Sequence, residues 1–159
     1  MTPRAPLAVA ALATVGYLAL LVAGLGFASL WTGSEVIAMP GIDIPTAFVA
    51  AGAALVAFGL LLWAALDRWR PSYGSVAGVA LASGAVHALV LGVAVLVDTG
   101  DLGSVIGVLE HVLIGWVSPV VVLAAAVAAW AAVAIRRTGA NPPRWPWEGR
   151  GGDGPDDAP

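Results

Sequence analysis

The stretch PSYGSVAGVALASGAVHALVLGVAVLV, residues 71–97, contains no Asp, Glu, Lys or Arg and decides the fold class of the chain. Similar uncharged runs cover residues 5–31, 44–66 and 112–135. Each run exceeds the ~20 residues that an α-helix needs to cross a ~30 Å hydrocarbon core. A soluble protein of 159 residues could not bury four helices that are apolar all round. The sequence therefore predicts four transmembrane helices.

Composition supports this prediction and argues against soluble and β-barrel alternatives. Hydrophobic residues make up 60% of the chain and charged residues only 11%, whereas ordinary soluble domains contain about 25% charged residues. The runs are rich in Ala and Leu, which are strong helix formers. They also lack the alternation that is typical of an outer-membrane β-barrel. We therefore expect an all-α, polytopic integral membrane protein.

The expected organisation is a transmembrane domain over residues 1–135, followed by a disordered cytoplasmic tail over residues 136–159 that is rich in Pro and Gly. Short connections favour antiparallel packing of successive helices in a four-helix bundle. We expect Pro119 to kink the last helix. The four helices are expected at about residues 5–31, 45–66, 72–97 and 103–135.

The distribution of arginine predicts the orientation of the helices. The connections after the first and third helices contain acidic residues and no basic residue. Because basic residues cluster on the cytoplasmic side of a membrane protein, both termini are expected in the cytoplasm. All seven basic residues are Arg, a bias that we associate with a bacterial genome and hence with the bacterial inner membrane. Interfacial anchors are expected at Trp31, Trp63, Trp116, Trp130, Arg68, Arg70, Arg136 and Arg137.

Four polar side chains in or beside the apolar runs form the candidate site, namely Tyr17, His87, Glu110 and His111. Ionisable residues inside a membrane are expensive to bury and mark functional sites by default. At 1.5 Å per helical residue, Tyr17, His87 and His111 lie about 20, 25 and 38 Å from the level of the arginines. The hydrocarbon core is about 30 Å thick, so we expect Glu110 to be solvated near the outer headgroups.

The helix faces indicate which of these side chains meet. His111 and His87 each share a stripe with small residues, which let helices approach closely. We therefore expect both histidines to face the interior of the bundle with Tyr17, and Glu110 to lie on a flank because adjacent helical residues do not share a face. His87 is then a neutral histidine bonded to a helix carbonyl or to Tyr17, or the inner station of a proton relay. The relay would need bridging water, because the two histidines differ in height by about 13 Å.

Enzyme signatures are missing from the sequence. It contains no cysteine, no phosphate-binding loop, and no G-x-S-x-G or H-E-x-x-H motif. The side chains of His87, Glu110 and His111 are of ligand types that zinc accepts, but they have no diagnostic spacing. No catalytic residue, metal site or cofactor is therefore predicted. The small net charge of −3 gives no reason to expect nucleic acid as a partner.

Function is predicted from these observations only as a class. We expect a non-enzymatic accessory or assembly subunit of a membrane complex, whose partners are the lipid bilayer and other transmembrane subunits or a second copy of the chain. The alternative is a proton-coupled small-solute transporter or channel that uses His87, His111 and Glu110. A redox or metal-binding membrane enzyme is the third class, and a bound metal or a haem absorption band would identify it.

Overall fold

The computed structural model describes residues 4–33, 44–68 and 72–140. Nearly all of these residues are α-helical, and no strand occurs in the described ranges, so the prediction of an all-α chain is confirmed. The helices are α1 (Arg4–Thr32), α2 (Ile44–Leu66), α3 (Gly74–Thr99), α4 (Leu102–Ile114) and α5 (Val117–Ala140).

Four of the described helices are long and apolar enough to cross a membrane. The apolar segments of α1, α2, α3 and α5 contain 27, 22, 26 and 22 residues, with mean hydropathies of 2.2 to 2.3. Each exceeds the ~20 residues that a hydrocarbon core requires. The prediction of four such helices is confirmed. The fifth helix, α4, has 13 residues and is too short to span.

The prediction of a single helix over residues 103–135 is wrong, because the structure has two helices there, α4 and α5. Gly115 has an extended backbone (φ −70°, ψ 174°), and its amide donates to the carbonyl of His111 across 2.7 Å, which ends α4. Pro119 is the third residue of α5, where a backbone N–H has no partner within the helix and none is lost. Inside a continuous helix, its ring would clash with the carbonyl of Gly115. Proline therefore produces a break before it instead of a kink.

The end of α5 also differs from expectation. The helix continues to Ala140, so Arg136 and Arg137 lie on its last turns and not in the tail that was expected to begin there. The rest of the predicted disordered tail, from residue 141 onward, lies outside the described residues.

Two apolar cores hold the helices together. The larger core joins α1, α2, α3 and α5, and it contains the rings of Tyr17 and Phe58 with centroids 4.6 Å apart. The four long helices contact one another in a ring, in which α1 and α3 each meet α2 and α5. α4 packs outside that ring, mainly on α3. The smaller core joins α2, α3 and α4 through Ala50, Leu91, Val95, Val108 and Val112.

The turn between α3 and α4 is specified by two residues. Gly100 has a left-handed backbone (φ 64°) and its amide donates to the carbonyl of Leu96, which closes α3. Asp101 is the N-cap of α4. Its carboxylate accepts hydrogen bonds from the amide of Gly103 (3.2 Å) and from the amide and hydroxyl of Ser104 (both 2.8 Å). These donors lower the pKa of Asp101, with the Ser104 hydroxyl as the largest cause.

Candidate functional site

The four candidate side chains fall into two groups in the structure. Tyr17 and His87 are buried, with 0% and 8% of their surfaces exposed. Glu110 and His111 are both exposed on α4. Within the described chain, none of the four is hydrogen-bonded to another of them. The structure therefore does not assemble them into one cluster.

His87 lies on α3 and is one of two buried polar residues in the described core. The other is Ser83, one turn earlier, whose hydroxyl donates to the carbonyl of Val79 across 2.8 Å. The His87 ring lies beside the backbone of Ala50 on α2. Its Nδ1 is buried and has no hydrogen-bond partner among the described residues. The Tyr17 hydroxyl has no partner among these residues either, so Tyr17 and His87 are not hydrogen-bonded to each other.

Tyr17 is held by apolar packing in the larger core and not by a hydrogen bond to any described residue. Its ring contacts that of Phe58 on α2. Its hydroxyl is buried and, like Nδ1 of His87, has no hydrogen-bond partner in the described chain. Burying a polar group without a partner costs about 1–3 kcal/mol, so this hydroxyl destabilises the core in which it lies.

The expectation that His111 faces the interior is wrong. α4 buries Val108 and Val112 against α3, and His111 is therefore turned to the outer face. It shares an open hollow of about 420 Å³ with Glu110, on a surface that also includes Gly107 and Gly115. The small-residue stripe of α4 thus faces outward, and its valines form the contact with α3.

A different pattern in the sequence marks the buried face of α4. Val105, Val108, Leu109 and Val112 recur at the three- and four-residue spacing of one helix face. All four pack toward α3, where Val105 and Leu109 lie beside Gly92. For α4, the spacing of the apolar residues therefore predicts the buried face better than the spacing of the glycines does.

His87 lies at the level of the break between α4 and α5, with its ring beside α2. A Cβ built on Gly84 would meet Val122 of α5, whereas one built on Gly92 would meet Leu109 of α4. His87 lies between these two glycines along α3, so it is at the level of the part of the chain between Leu109 and Val122, which contains the break. A broken helix leaves several carbonyls of its last turn without partners inside the helix.

Three basic side chains lie where α2 and α5 end. The Nη2 of Arg136 on α5 donates to the carbonyl of Leu66, at the end of α2, across 3.3 Å. The guanidinium of Arg137 lies 4.8 Å from the ring centroid of Tyr73, at the start of α3. Arg68 follows α2 and is exposed. We call these three residues, Arg68, Arg136 and Arg137, the arginine cluster.

Sequence reasoning missed the contacts of the arginine cluster with Leu66 and Tyr73, because neither spacing nor periodicity relates α5 to α2 and α3. The expected anchors Trp31, Trp63 and Trp130 are exposed, and Trp116 is half-buried beside the break. Arg70 lies outside the described residues. In the described part of the chain, no group of three or more His, Cys, Asp or Glu side chains could hold a metal ion.

Comparison with known proteins gives one family and no individual relative. The profile of a family of unknown function (DUF6121) matches residues 2–155, which is nearly the whole chain. No curated protein matches the sequence, and no solved structure matches it either.

Proposed function

The chain belongs to the DUF6121 family, and from that premise we propose that it is a non-enzymatic accessory or assembly subunit of a larger membrane complex. In this proposal the four long helices form an antiparallel transmembrane bundle. Both termini face the cytoplasm, and the membrane is a bacterial inner membrane. The partners are other transmembrane subunits or a second copy of the chain.

The observation that carries this proposal is the division of the helix glycines into two sets. Gly24, Gly59 and Gly84 lie at crossings between helices, where an added Cβ would come within 2.7 to 3.1 Å of a neighbouring side chain. A second set has nothing within 4 Å of an added Cβ. This open set includes Gly26, Gly52, Gly78 and Gly107.

Open glycines support docking of another helix. In lipid, apolar side chains give helices no reason to associate, so association depends on close packing at small residues. The internal glycines already serve this purpose between α1, α2, α3 and α5. Gly52 on α2 and Gly78 on α3 leave equivalent notches with no occupant in the described chain.

The arginine cluster supports the proposed orientation. The contacts of Arg136 with Leu66 and of Arg137 with Tyr73 bring the ends of α2 and α5 and the start of α3 to one side. Positive charge at one side of a membrane protein is typical of the cytoplasmic face.

Copurification from a mild detergent after native expression tests the proposed role. We expect partner subunits to copurify with the wild-type chain and to be lost from Gly52→Leu and Gly78→Leu, at positions where an added Cβ meets nothing within 4 Å. Ala64→Leu is the matched control, since Ala64 is exposed on α2 and lies about 120° around the helix from Gly52. A chain that is monomeric and alone at every detergent strength would contradict the proposal.

A second candidate function rests on His87. An imidazole nitrogen that is buried without a partner among the described residues, at the level of a broken helix, is an arrangement that proton-coupled transporters or channels can use. Glu110 and His111 would form the outer entrance in this alternative. His87→Phe should then abolish solute flux driven by a pH gradient in reconstituted vesicles, whereas Leu89→Phe, at an exposed position of α3, should not. Unchanged flux in His87→Phe would remove this candidate.

A further inference from the structure

The exposed face of α4 carries two ionisable side chains at a depth that lies inside a membrane. α4 turns back from the end of α3 and packs on it, so that a Cβ built on Gly92 would lie 3.5 Å from Cδ2 of Leu109. Asp98, near the end of α3, is six residues beyond Gly92, which is about 9 Å along the helix. With α3 as a membrane span, Glu110 and His111 therefore lie within the hydrocarbon core, deeper than a single continuous helix would place them.

These two side chains have no polar partner in the described part of the chain. Both are exposed, and neither forms a hydrogen bond or an ion pair with a described residue. They do not pair with each other, because adjacent residues of a helix do not face one another. α4 packs through the opposite side, with Val108 and Val112. In a single copy of the described chain, an acid and a base therefore meet lipid, where ionisable groups are expensive.

The hollow that Glu110 and His111 share is nearly symmetrical about the helix. It has a volume of about 420 Å³, and its lining includes Gly107 and Ile114. At 3.6 residues per turn, Glu110 and His111 lie about 50° on either side of a line through Gly107 and Ile114, which we call the midline of α4. An added Cβ on Gly107 would meet nothing within 4 Å, and small residues let a second helix approach closely.

We propose that this face of α4 is the interface of a symmetric homodimer, in which Glu110 of each copy pairs with His111 of the partner subunit. A twofold axis along the membrane normal places the two midlines together. It then brings the side of one α4 that carries the acid against the side of the other that carries the base. The carboxylate accepts a hydrogen bond from the protonated imidazole, and each pair is neutral as a whole, which lowers the cost of burying it.

Charge complementarity identifies the occupant of this face as a second copy. A twofold interface uses the same patch on both subunits and must be complementary to itself. The face already contains both members of the pair, whereas a different subunit would have to supply its own acid and base in the matching positions. The inference rests on the proposed transmembrane bundle, and it specifies one of the partners proposed above.

Disulfide crosslinking in native membranes tests the interface, because the chain has no cysteine of its own. Ile114→Cys lies on the midline and should form a disulfide-linked dimer when copper phenanthroline is added. Leu113→Cys is the matched control, since Leu113 is also exposed on α4 but lies about 110° from the midline, and it should stay monomeric. Equal crosslinking of both variants, or of neither, would overturn the interface. A crosslink from Ile114→Cys to a protein of another mass would overturn the second copy as its occupant.

Exchange of the two side chains tests the pairing. Glu110→His leaves only imidazoles at the pairing positions, and His111→Glu leaves only carboxylates. Each should weaken dimerisation by about tenfold, measured by sedimentation equilibrium in a mild detergent. The double variant Glu110→His/His111→Glu again places each acid opposite a base and should restore the dimer. Rescue separates pairing from misfolding, because a second substitution beside the first would not repair a damaged fold. A double variant as weak as the single variants would overturn the pairing.

Failure of the dimer is distinguishable from failure of the accessory role. If partner subunits copurify and are lost from Gly52→Leu and Gly78→Leu while Ile114→Cys remains monomeric, the dimer is wrong and the accessory role stands. The same monomer is expected if residues 34–43, which lie outside the described ranges, cover Glu110 and His111 within one copy. A monomer that copurifies with nothing would contradict both proposals.

Discussion

Gly84 of α3 lies directly against Val122 of α5, so closely that a Cβ on the glycine would lie 2.7 Å from the Cγ2 of the valine. The closest comparable approach between long helices is that of Gly24 on α1 to Val120 of α5, at 2.9 Å. Both valines lie in the first turns of α5, just after the break. Two glycines on different helices thus fix where α5 begins to pack.

Gly84→Ala should lower the free energy of unfolding by about 1–3 kcal/mol, because the added methyl group must displace a β-branched side chain in a filled contact. Unfolding in mixed micelles of mild detergent and sodium dodecyl sulfate measures this change. The matched control is Gly78→Ala on the same helix, which places its methyl group in open space. Equal stabilities of the two variants would show that α3 and α5 do not cross at Gly84.

Tyr17→Phe should raise the free energy of unfolding by about 1 kcal/mol. The substitution removes a buried hydroxyl that has no hydrogen-bond partner in the described chain, and relief of an unsatisfied polar group stabilises a fold. Tyr17→Ala should do the opposite, because it also removes the ring that packs on Phe58. If Tyr17→Phe is destabilising in the same unfolding assay, the hydroxyl has a partner and the assigned packing is incorrect.

The N-cap of α4 should weaken in acid. Hydrogen bonds, first from the Ser104 hydroxyl and then from the amides of Ser104 and Gly103, hold the pKa of Asp101 below its ordinary value of 3.8. The stabilisation is therefore fully present above pH 3.8, and it is lost as the pH falls through the lower pKa of the folded chain. Amide chemical shifts of Gly103 and Ser104 in micelles report this titration.

Two variants separate the contributions to this cap. Ser104→Ala should raise the pKa of Asp101 toward 3.8, because the hydroxyl is the largest cause of the shift. Asp101→Asn should keep the cap and remove its pH dependence, because asparagine caps helices about as well as aspartate. An Asp101 pKa that does not change in Ser104→Ala would contradict the assigned hydrogen bond.

The long helices could be predicted from the sequence because their signal is local. An uncharged run of more than 20 residues has few alternatives to an apolar helix, and α2 begins and ends where its run does, at Ile44 and Leu66. The break before Pro119 was harder to place, because apolar residues continue across it without a change in composition. Pro119 indicated a disturbance of the helix but did not show that α4 ends at Ile114.

The candidate site was predicted less well, because it depends on which face of each helix packs inward. Burial of His87 and Tyr17 agrees with the expected inward faces. The exposure of His111 disagrees with the expected inward face, because α4 is a separate helix that packs on α3 through its valines. Since the helix is broken before α5, the face that α4 buries cannot be extrapolated from the face that α5 buries. The contacts of Arg136 and Arg137 join helices that are distant in sequence, and no local pattern encodes them.

Cysteine labelling in intact cells tests the central claim, that the long helices cross a membrane with the arginine cluster on the cytoplasmic side. The chain has no cysteine of its own. A single cysteine introduced at one of the exposed positions Ser72, Asp98 and Thr138 therefore reports the side of the membrane on which that position lies. With a membrane-impermeant maleimide, Asp98→Cys should be labelled at once, whereas Ser72→Cys and Thr138→Cys should be labelled only after permeabilisation. Labelling of Ser72→Cys and Thr138→Cys in intact cells, with Asp98→Cys protected, would contradict the account.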